Sequence, residues 1–418
     1  MKSKLGLLPL VAATFFMVSG GPYGIEGLVQ QSGYALAIAT LLAIPLIWAL
    51  PTGLMIGELA SAIPAEGGFY VWVRRALGDF WGFQEAWLSL SASVFDMAAY
   101  PAIFVLSLGQ LWPTALQNPW RVLIPGVVIL SCVGWNMLGA KAVGGSSIVL
   151  GLLLLAPFAL MVALAPHREF PASAPHGHWY SGLIIAMWNF MGWDNASTVA
   201  QEVKNPQRTY PRTMFWTVAA VALVYIIPIS AVGYSGVPAS SWSDGSWVNL
   251  AGGVRPWLAV PVLLTIMISV VGQVNSLTMS YSRIPLAMAD DKMAPPFLRH
   301  LNYSLLFCGL IWTLALSLSL DRILLLDILL YGASLILEFV ALVVLRIREP
   351  DLVRPFRIPG GTAGAIAISV APCALLVAAA VLNRHEQVGS VSAAMLAAGV
   401  AICGLVVYPL VRRFCAPR

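Results

Sequence analysis

Long apolar runs alternate along the chain with short polar or Gly/Pro-rich breaks. A helix crossing about 30 Å of hydrocarbon needs roughly 20 residues. On that measure the runs predict about twelve helical spans, at about 7–32, 34–62, 81–112, 119–140, 144–166, 179–203, 212–236, 256–286, 302–320, 323–345, 362–383 and 389–411. The runs are continuous and lack the two-residue alternation of an outer-membrane barrel, so the spans are helical. Intervals between them stay under about 20 residues, too short for a separate soluble domain. Residues 66–79 differ: Phe69, Val71, Trp72, Val73 and Leu77 surround Arg74 and Arg75. That pattern predicts a short amphipathic helix lying along the cytoplasmic face.

Two spans carry internal breaks. The first contains Ser19-Gly20-Gly21-Pro22-Tyr23-Gly24. Pro22 lacks an N–H and its ring clashes with the carbonyl four residues back, so the span should split near Val18 and resume near Pro22. The backbone groups freed there cost several kcal/mol each in hydrocarbon unless a partner satisfies them. A substrate or ion could do so; an ordinary proline kink healed by neighbours is the alternative. In the sixth span, Gly192, Asp194 and Asn195 are poor helix formers, and the latter two compete for local backbone bonds. The two breaks fall at matching places in two five-span halves, the pattern of an inverted-repeat transporter with its site between the halves.

Composition narrows the class. Of 418 residues, 59% are hydrophobic and 10% charged, against about 25% charged in soluble domains; mean hydropathy is +0.83. This is the composition of an integral membrane protein, and it excludes a soluble enzyme or a nucleic-acid binder. No GxxxxGK[ST] phosphate loop is present, which argues against ATP-driven transport by this chain alone. The net charge of +5 is a topology signal. With the N-terminus in the cytoplasm, 18 of the 23 Lys and Arg face inward, and Arg121, Arg168, Arg255, Arg322 and Arg384 face outward. Both termini are therefore expected in the cytoplasm, in a plasma or inner membrane. The apolar N-terminus after Lys2 and Lys4 imitates a signal peptide but lacks an A-x-A site, so it is expected to be retained. The five cysteines read as packing residues, and His176 and His178 are too few ligands for a metal site. No cofactor or metal is expected.

Eight acids fall within or near spans: Glu26, Glu58, Glu85, Asp96, Asp194, Glu202, Asp327 and Glu338. Every Lys and Arg is assigned to a loop or span end, so these acids need a proton or a cation from outside. Asp194 lies in the sixth-span break and reads as an amine partner or a cap for the second half-helix. Asp96 and Tyr100, four residues apart, share a helix face. Glu26 lies in the first turn after Pro22, where the helix dipole favours an anion. Glu338 shares a face with Ser334 and reads as a proton carrier or a packing residue. Glu58, Glu85 and Glu202, near cytoplasmic span ends, read as structural or gating groups. Tyr23, Trp188, Phe190, Trp193, Tyr281 and Tyr331 could close over a cation. Trp81, Trp112, Trp120, Trp179 and Trp257 sit at span ends as interface anchors.

Three motifs resemble the amino acid–polyamine–organocation superfamily: SGGPYGIE at 19–26, GELASAIPAEGGFYVWVRRALG at 57–78 and QEVKNPQRTYPR at 201–212. REPDLVRPFRIPG at 348–360 is a fourth, weaker match. Within the superfamily the chain looks most like the polyamine/proton symporters, through GPYGIE, WGFQEAW at 81–87, the Asp96–Pro101 segment and the Trp193-Asp194 pair. The resemblance implies the all-α leucine-transporter fold. In it, 1–166 and 179–345 would be inverted five-span repeats of a single transporter domain, and 362–411 two further helices. It implies that Asp194, Asp96 and Tyr100 contact a cationic substrate, with Glu26 close by and the Gly20–Gly24 backbone lining the site. One departure stands out: span five carries no lysine, and Lys141 precedes it. Proton coupling would then rest on an acid. Sodium coupling stays open, since Thr265, Ser269 and Ser276 offer hydroxyl oxygens.

The expected function is secondary active uptake of a polyamine or other cationic amine or amino acid by alternating access, with protons. The substrate-binding candidates are Gly20, Gly21, Tyr23, Gly24, Glu26, Asp96, Tyr100, Trp188, Trp193 and Asp194. The proton-coupling candidates are Glu26, Asp194 and Glu338. An amino-acid permease or exchanger is the alternative; its substrate carboxylate would take the free N–H groups at the first break. A non-transporting scaffold would leave the paired breaks unexplained.

Overall fold

The computed structural model describes residues 4–170, 179–316, 323–382, 387–388 and 391–415. His176 and His178, with Lys2, Arg322, Arg384 and Arg418, lie outside the described residues. The chain is a polytopic helical membrane protein. Among the described residues, eight helices are long and apolar enough to cross a membrane, and three shorter apolar helices accompany them.

The first span is split. Helix α1 (Leu7–Val18) ends in an unwound stretch, and α2 (Glu26–Ile44) starts after it. A left-handed Gly33 (φ 71°) turns the chain inside α2, so the short first part of α2 completes span one and the rest begins span two. That second part runs through a π-turn at Pro45–Ala49 into α3 (Leu50–Ala62). There follow α4 (Phe69–Leu77), α5 (Asp79–Gly109), α6 (Trp120–Asn136) and α7 (Ala140–Leu164). The sixth span is α8 (Trp179–Trp188), after which the chain unwinds. Only 3-10 turns at Asp194–Thr198 and Ala200–Glu202 stand where a second half-helix was expected.

The remaining helices are α9 (Pro206–Tyr234), α10 (Trp247–Val254), α11 (Ala259–Tyr281), α12 (Arg283–Asp290), α13 (Leu301–Ala315), α14 (Ile323–Arg348), α15 (Gly361–Leu382) and α16 (Ala393–Cys415). Two-residue strands, β1 (Gln387–Val388) and β2 (Val391–Ser392), pair antiparallel before α16, an addition to the expected all-helical chain.

α1 packs between α7, α9 and α11, and α5 lies along α14. Outward faces are apolar: Leu106, Leu152 and Leu310 are each more than half exposed, as a lipid-facing surface requires. Trp81, Trp112, Trp120 and Trp257 are exposed at helix ends. Cys132 and Cys308 are buried, whereas Cys403, expected to be a packing residue, is exposed.

Two expectations need correction. The amphipathic α4 does not present its apolar face to lipid. Phe69, Tyr70, Trp72 and Val73 are buried, and α4 packs on α5 and α14. The Gly67-Gly68 turn draws it in: Gly67 N–H donates to Thr198 O at 3.0 Å. At Gly68, φ is 42° and a Cβ would stand 2.1 Å from Ser197 Oγ, so only glycine fits. Nor are all the intramembrane acids without bases. Glu58, fully buried, accepts two hydrogen bonds from Arg346 and one from the Ile358 N–H, and it ion-pairs with Arg354 at 3.2 Å. Glu202 pairs with a fully buried Arg283 at 2.8 Å. Arg346 and Arg283 sit at helix ends and Arg354 in the loop after α14, and each reaches inward along its aliphatic stem, which a census by position misses.

Candidate functional site

The two breaks touch. Ser19 N–H closes α1 on Phe15 O at 2.7 Å, and the chain then crosses α11 closely. A Cβ on Gly20 would stand 2.2 Å from Ser269 Oγ and 2.5 Å from Gln273 Oε1, so this crossing requires glycine. Asn189, at the end of α8, donates to Gly24 O at 2.9 Å and ties one break to the other. Tyr225 on α9 donates to Asn189 O at 3.1 Å. Side chains of neighbouring elements thus answer part of the freed backbone at both breaks, as buried irregular backbone requires.

Two small cavities open beside the breaks and share Val18, Tyr100 and Trp188 as a wall. The Tyr100 and Trp188 rings stack there, with centroids 6.3 Å apart. The first cavity, about 20 Å³, is lined by Asp96, Asp327, Tyr281, Tyr331, Asn195 and the Gly192 backbone, among others. Tyr281 OH donates to Asp96 at 2.8 Å and Trp188 Nε1–H donates to Asp327 at 3.3 Å. Asp96 and Asp327 both face this cavity, and among the described residues no Lys, Arg or His lines it. Two carboxylates that share one cavity without a base are stabilised by a proton or a cation between them.

The second cavity, about 70 Å³, is lined by Ser19, Gly20, Tyr23, Gly24, Asn189, Ser269 and Gln273, with apolar neighbours. It holds amides, hydroxyls and broken-helix backbone, and no acid. Gly20, Tyr23, Gly24, Tyr100 and Trp188 thus line the cavities, and Asp96 lies at their acidic end.

Other expected residues are elsewhere. Asp194, 2% exposed, stands behind Tyr331 and does not line the cavity. Tyr331 OH donates to its carboxylate and accepts from Gly192 N–H at 2.9 Å. Asp194 opens the turn at Asp194–Thr198, with its carboxylate turned to Tyr331. Trp193 is fully buried; its indole N–H donates to Phe190 O at 2.7 Å and it lines neither cavity. Gly21 faces Leu154 on α7. Glu26, 3% exposed, lies in the first turn of α2 and lines neither cavity. Thr265, Ser269 and Ser276 do not converge: Thr265 bonds Tyr23, Ser269 bonds Gln273, and Ser276 faces Ser147 at 3.4 Å.

Asp327, Tyr281 and Tyr331 complete the acidic cavity, and the sequence reading did not join them to it. A signal was present: Asp327, Tyr331, Ser334 and Glu338 follow a helical i, i+4, i+7, i+11 spacing on one face of α14.

The sequence profile of the family described as "Amino acid permease" matches residues 11–406. Polyamine transporter PUT1 of Oryza sativa subsp. japonica is 35% identical over 426 residues, covering 98% of this chain and 78% of that protein. Polyamine transporter RMV1 of Arabidopsis thaliana is 32% identical over 427 residues, 98% of this chain and 86% of that protein. An uncharacterised transporter of Mycobacterium tuberculosis is 28% identical over 311 residues, 71% of this chain and 68% of that protein.

Proposed function

This chain belongs to the amino acid permease family, and we propose on that premise that it is a secondary transporter for a polyamine or a related cationic amine, driven by protons. It is a membrane transporter, not an enzyme. The observation that carries the substrate class is the Asp96–Asp327 pair, which faces one cavity with no basic side chain on its walls among the described residues. An ammonium group placed between the two carboxylates cancels their repulsion and restores the hydrogen bonds lost with water. The stacked Tyr100 and Trp188 rings offer π-faces to a cationic chain. The printed names of PUT1 and RMV1 agree with such a substrate.

In this reading the fold is the twelve-helix leucine-transporter arrangement. Residues 1–166 and 179–345 are its inverted repeats, 362–411 its two further helices, and both termini are cytoplasmic in the cell membrane. The unwound segments after α1 and α8 act as hinges. Amine binding neutralises Asp96 and Asp327, Tyr331 relays the change to Asp194, and the halves re-pack to open the other side. Asp194 acts through Tyr331, Trp193 supports the break, and Glu26 holds the start of α2. Proton carriage falls to a buried acid, with Asp194, Glu26 and Glu338 the candidates.

A second reading rests on the acid-free cavity. An α-amino acid could lay its carboxylate against the Gly20–Gly24 backbone and its amine between Asp96 and Asp327. One experiment separates the two: uptake of labelled putrescine into proteoliposomes under a proton gradient, a sodium gradient or none. Arginine and a neutral amino acid serve as competitors. Concentrative putrescine uptake under the proton gradient supports the polyamine reading. Uptake of the neutral amino acid without that of putrescine overturns it.

A further inference from the structure

Below the acidic cavity the seam between α5 and α14 carries a second pair of acids. The helices run antiparallel. Asp96 and Asp327 line one cavity, and seven residues further along each helix Ser89 meets Ser334 at 2.8 Å. Four more residues along each helix bring Glu85 level with Glu338. The inner pair is thus 11 residues from the outer pair on both helices, about three turns or roughly 16 Å. The coincidence of spacing places the same chemistry on the same seam at two depths.

The inner pair is dry and incompletely satisfied. Glu85 and Glu338 are both 0% exposed. Glu85 Oε1 accepts from Ser89 at 3.0 Å and from Ser334 at 2.8 Å. Glu85 Oε2 and both oxygens of Glu338 have no hydrogen-bond partner among the described residues. The charged groups acting on Glu338 are Asp194 and Glu85, and the one acting on Glu85 is Asp194; all are acids. Tyr331, two turns up α14, is the nearest hydroxyl on that helix besides Ser334. The bases on adjoining elements are engaged elsewhere: Arg74 with Asp79 and Asp291, Arg75 with Glu349, Arg346 and Arg354 with Glu58. The Ser89–Ser334 contact closes the seam, so an amine chain has no passage, whereas a proton needs no cavity.

Resting on the transport reading above, we propose that Glu85 and Glu338 share a single proton, and that this inner pair, not the amine-facing acids, is the site that loads and unloads the coupled proton. The seam packs dry only when the pair carries at most one negative charge. Closure therefore captures a proton from the aqueous side to which the seam was open, forming an O–H bond on one carboxylate. Opening to the cytoplasm returns that proton to water. The route to the amine site runs through Ser334, Tyr331 and Asp194.

The test uses purified full-length protein in proteoliposomes, with Glu338→Gln and Glu85→Gln beside wild type, and three readouts. These are labelled-putrescine binding, putrescine/putrescine exchange without a gradient, and concentrative uptake under an imposed pH gradient. Each variant is expected to bind and exchange within about threefold of wild type and to lose at least tenfold of the pH-driven component. Its exchange should also lose the wild-type pH profile. Variants that still concentrate putrescine under the pH gradient overturn the proposal, as does wild-type uptake driven by sodium alone. If the glutamine variants fail to fold, Ser334→Ala carries the test through a shifted pH midpoint of driven uptake, and an unchanged midpoint overturns it. If wild type carries a neutral amino acid instead of putrescine, the substrate reading falls and the same comparison, run with that substrate, still decides the inner pair.

Discussion

Two groups of carboxylates inside this protein are opposite in design. On α3, Glu58 is fully buried, yet Arg346 grips it with a two-point bond, Arg354 adds a second positive charge, and the Ile358 N–H takes a further lone pair. At the helix breaks, Asp96 and Asp327 line one cavity with tyrosine and tryptophan donors around them and, among the described residues, no base on its walls. The first group sets one carboxylate against two arginines and fastens α3 to α14 and to the loop that leads to α15. The second sets two carboxylates side by side with no base, and in the transport reading that uncompensated charge is what a cation would meet. A buried acid thus signals function here only once its partners are known.

The comparison is broken most directly by exchanging the fates of the two groups. Glu58→Gln leaves Arg346 and Arg354 buried with uncompensated charge, which costs about 3–5 kcal/mol. The expected outcome is a steep fall in thermal stability of the detergent-purified protein, or no monodisperse protein at all. Asp327→Asn removes a repulsive charge instead. It should leave the melting temperature unchanged or higher while weakening amine binding by about 2–5 kcal/mol, the cost of truncating one side of a buried charge contact. Melting curves and equilibrium binding on the same samples check both. A stable Glu58→Gln and an unfolded Asp327→Asn would erase the distinction.

The sequence made the local chemistry legible and left the long-range pairing hidden. Pro22 after two glycines, and Gly192, Asp194 and Asn195 in a row of weak helix formers, announced both breaks because backbone preference is written in neighbouring residues. Asp96 and Tyr100 could be placed on one face because a helix repeats every 3.6 residues. Glu58 and Arg346 stand 288 positions apart, and only the packing of α3 on α14 brings them together. Asp327 was counted among the intramembrane acids but sits near a span end in sequence, so nothing local joined it to Asp96. Asp194 sits where the break required it, but Tyr331, from a different helix, decides which way its carboxylate is satisfied.

Tyr331 gives a sharper and smaller test of the acidic group. Its hydroxyl donates to Asp194 and accepts from Gly192 N–H. Tyr331→Phe keeps the ring and deletes both bonds. Hydrogen bonds to charged groups contribute about 1.5–3 kcal/mol, so transport rate should fall by about tenfold or more. Amine affinity should change less than in Asp327→Asn, because Tyr331 acts on the break and Asp327 on the guest. Uptake rate and binding constant, measured together, separate the two roles. An affinity loss equal to that of Asp327→Asn would place Asp194 back at the amine.

The smallest effect comes from an ion pair that resembles the Glu58 group in geometry and differs in exposure. Arg75 on α4 holds Glu349 through two bonds, of 2.9 and 2.6 Å, with side chains 42% and 30% exposed. Hydrogen bonding to the guanidinium, with its charge, keeps the Glu349 carboxyl below the ordinary glutamate value. A depressed acid contributes its stability above the unfolded value and loses it as pH falls through the folded one. Water and salt screen a pair this exposed, so its contribution is about 0–1 kcal/mol. Glu349→Gln should therefore lower the melting temperature only slightly at neutral pH, by an amount that shrinks in high salt and vanishes in acid. A loss as large as that of Glu58→Gln would mean that two-point geometry, not burial, sets the strength of these pairs.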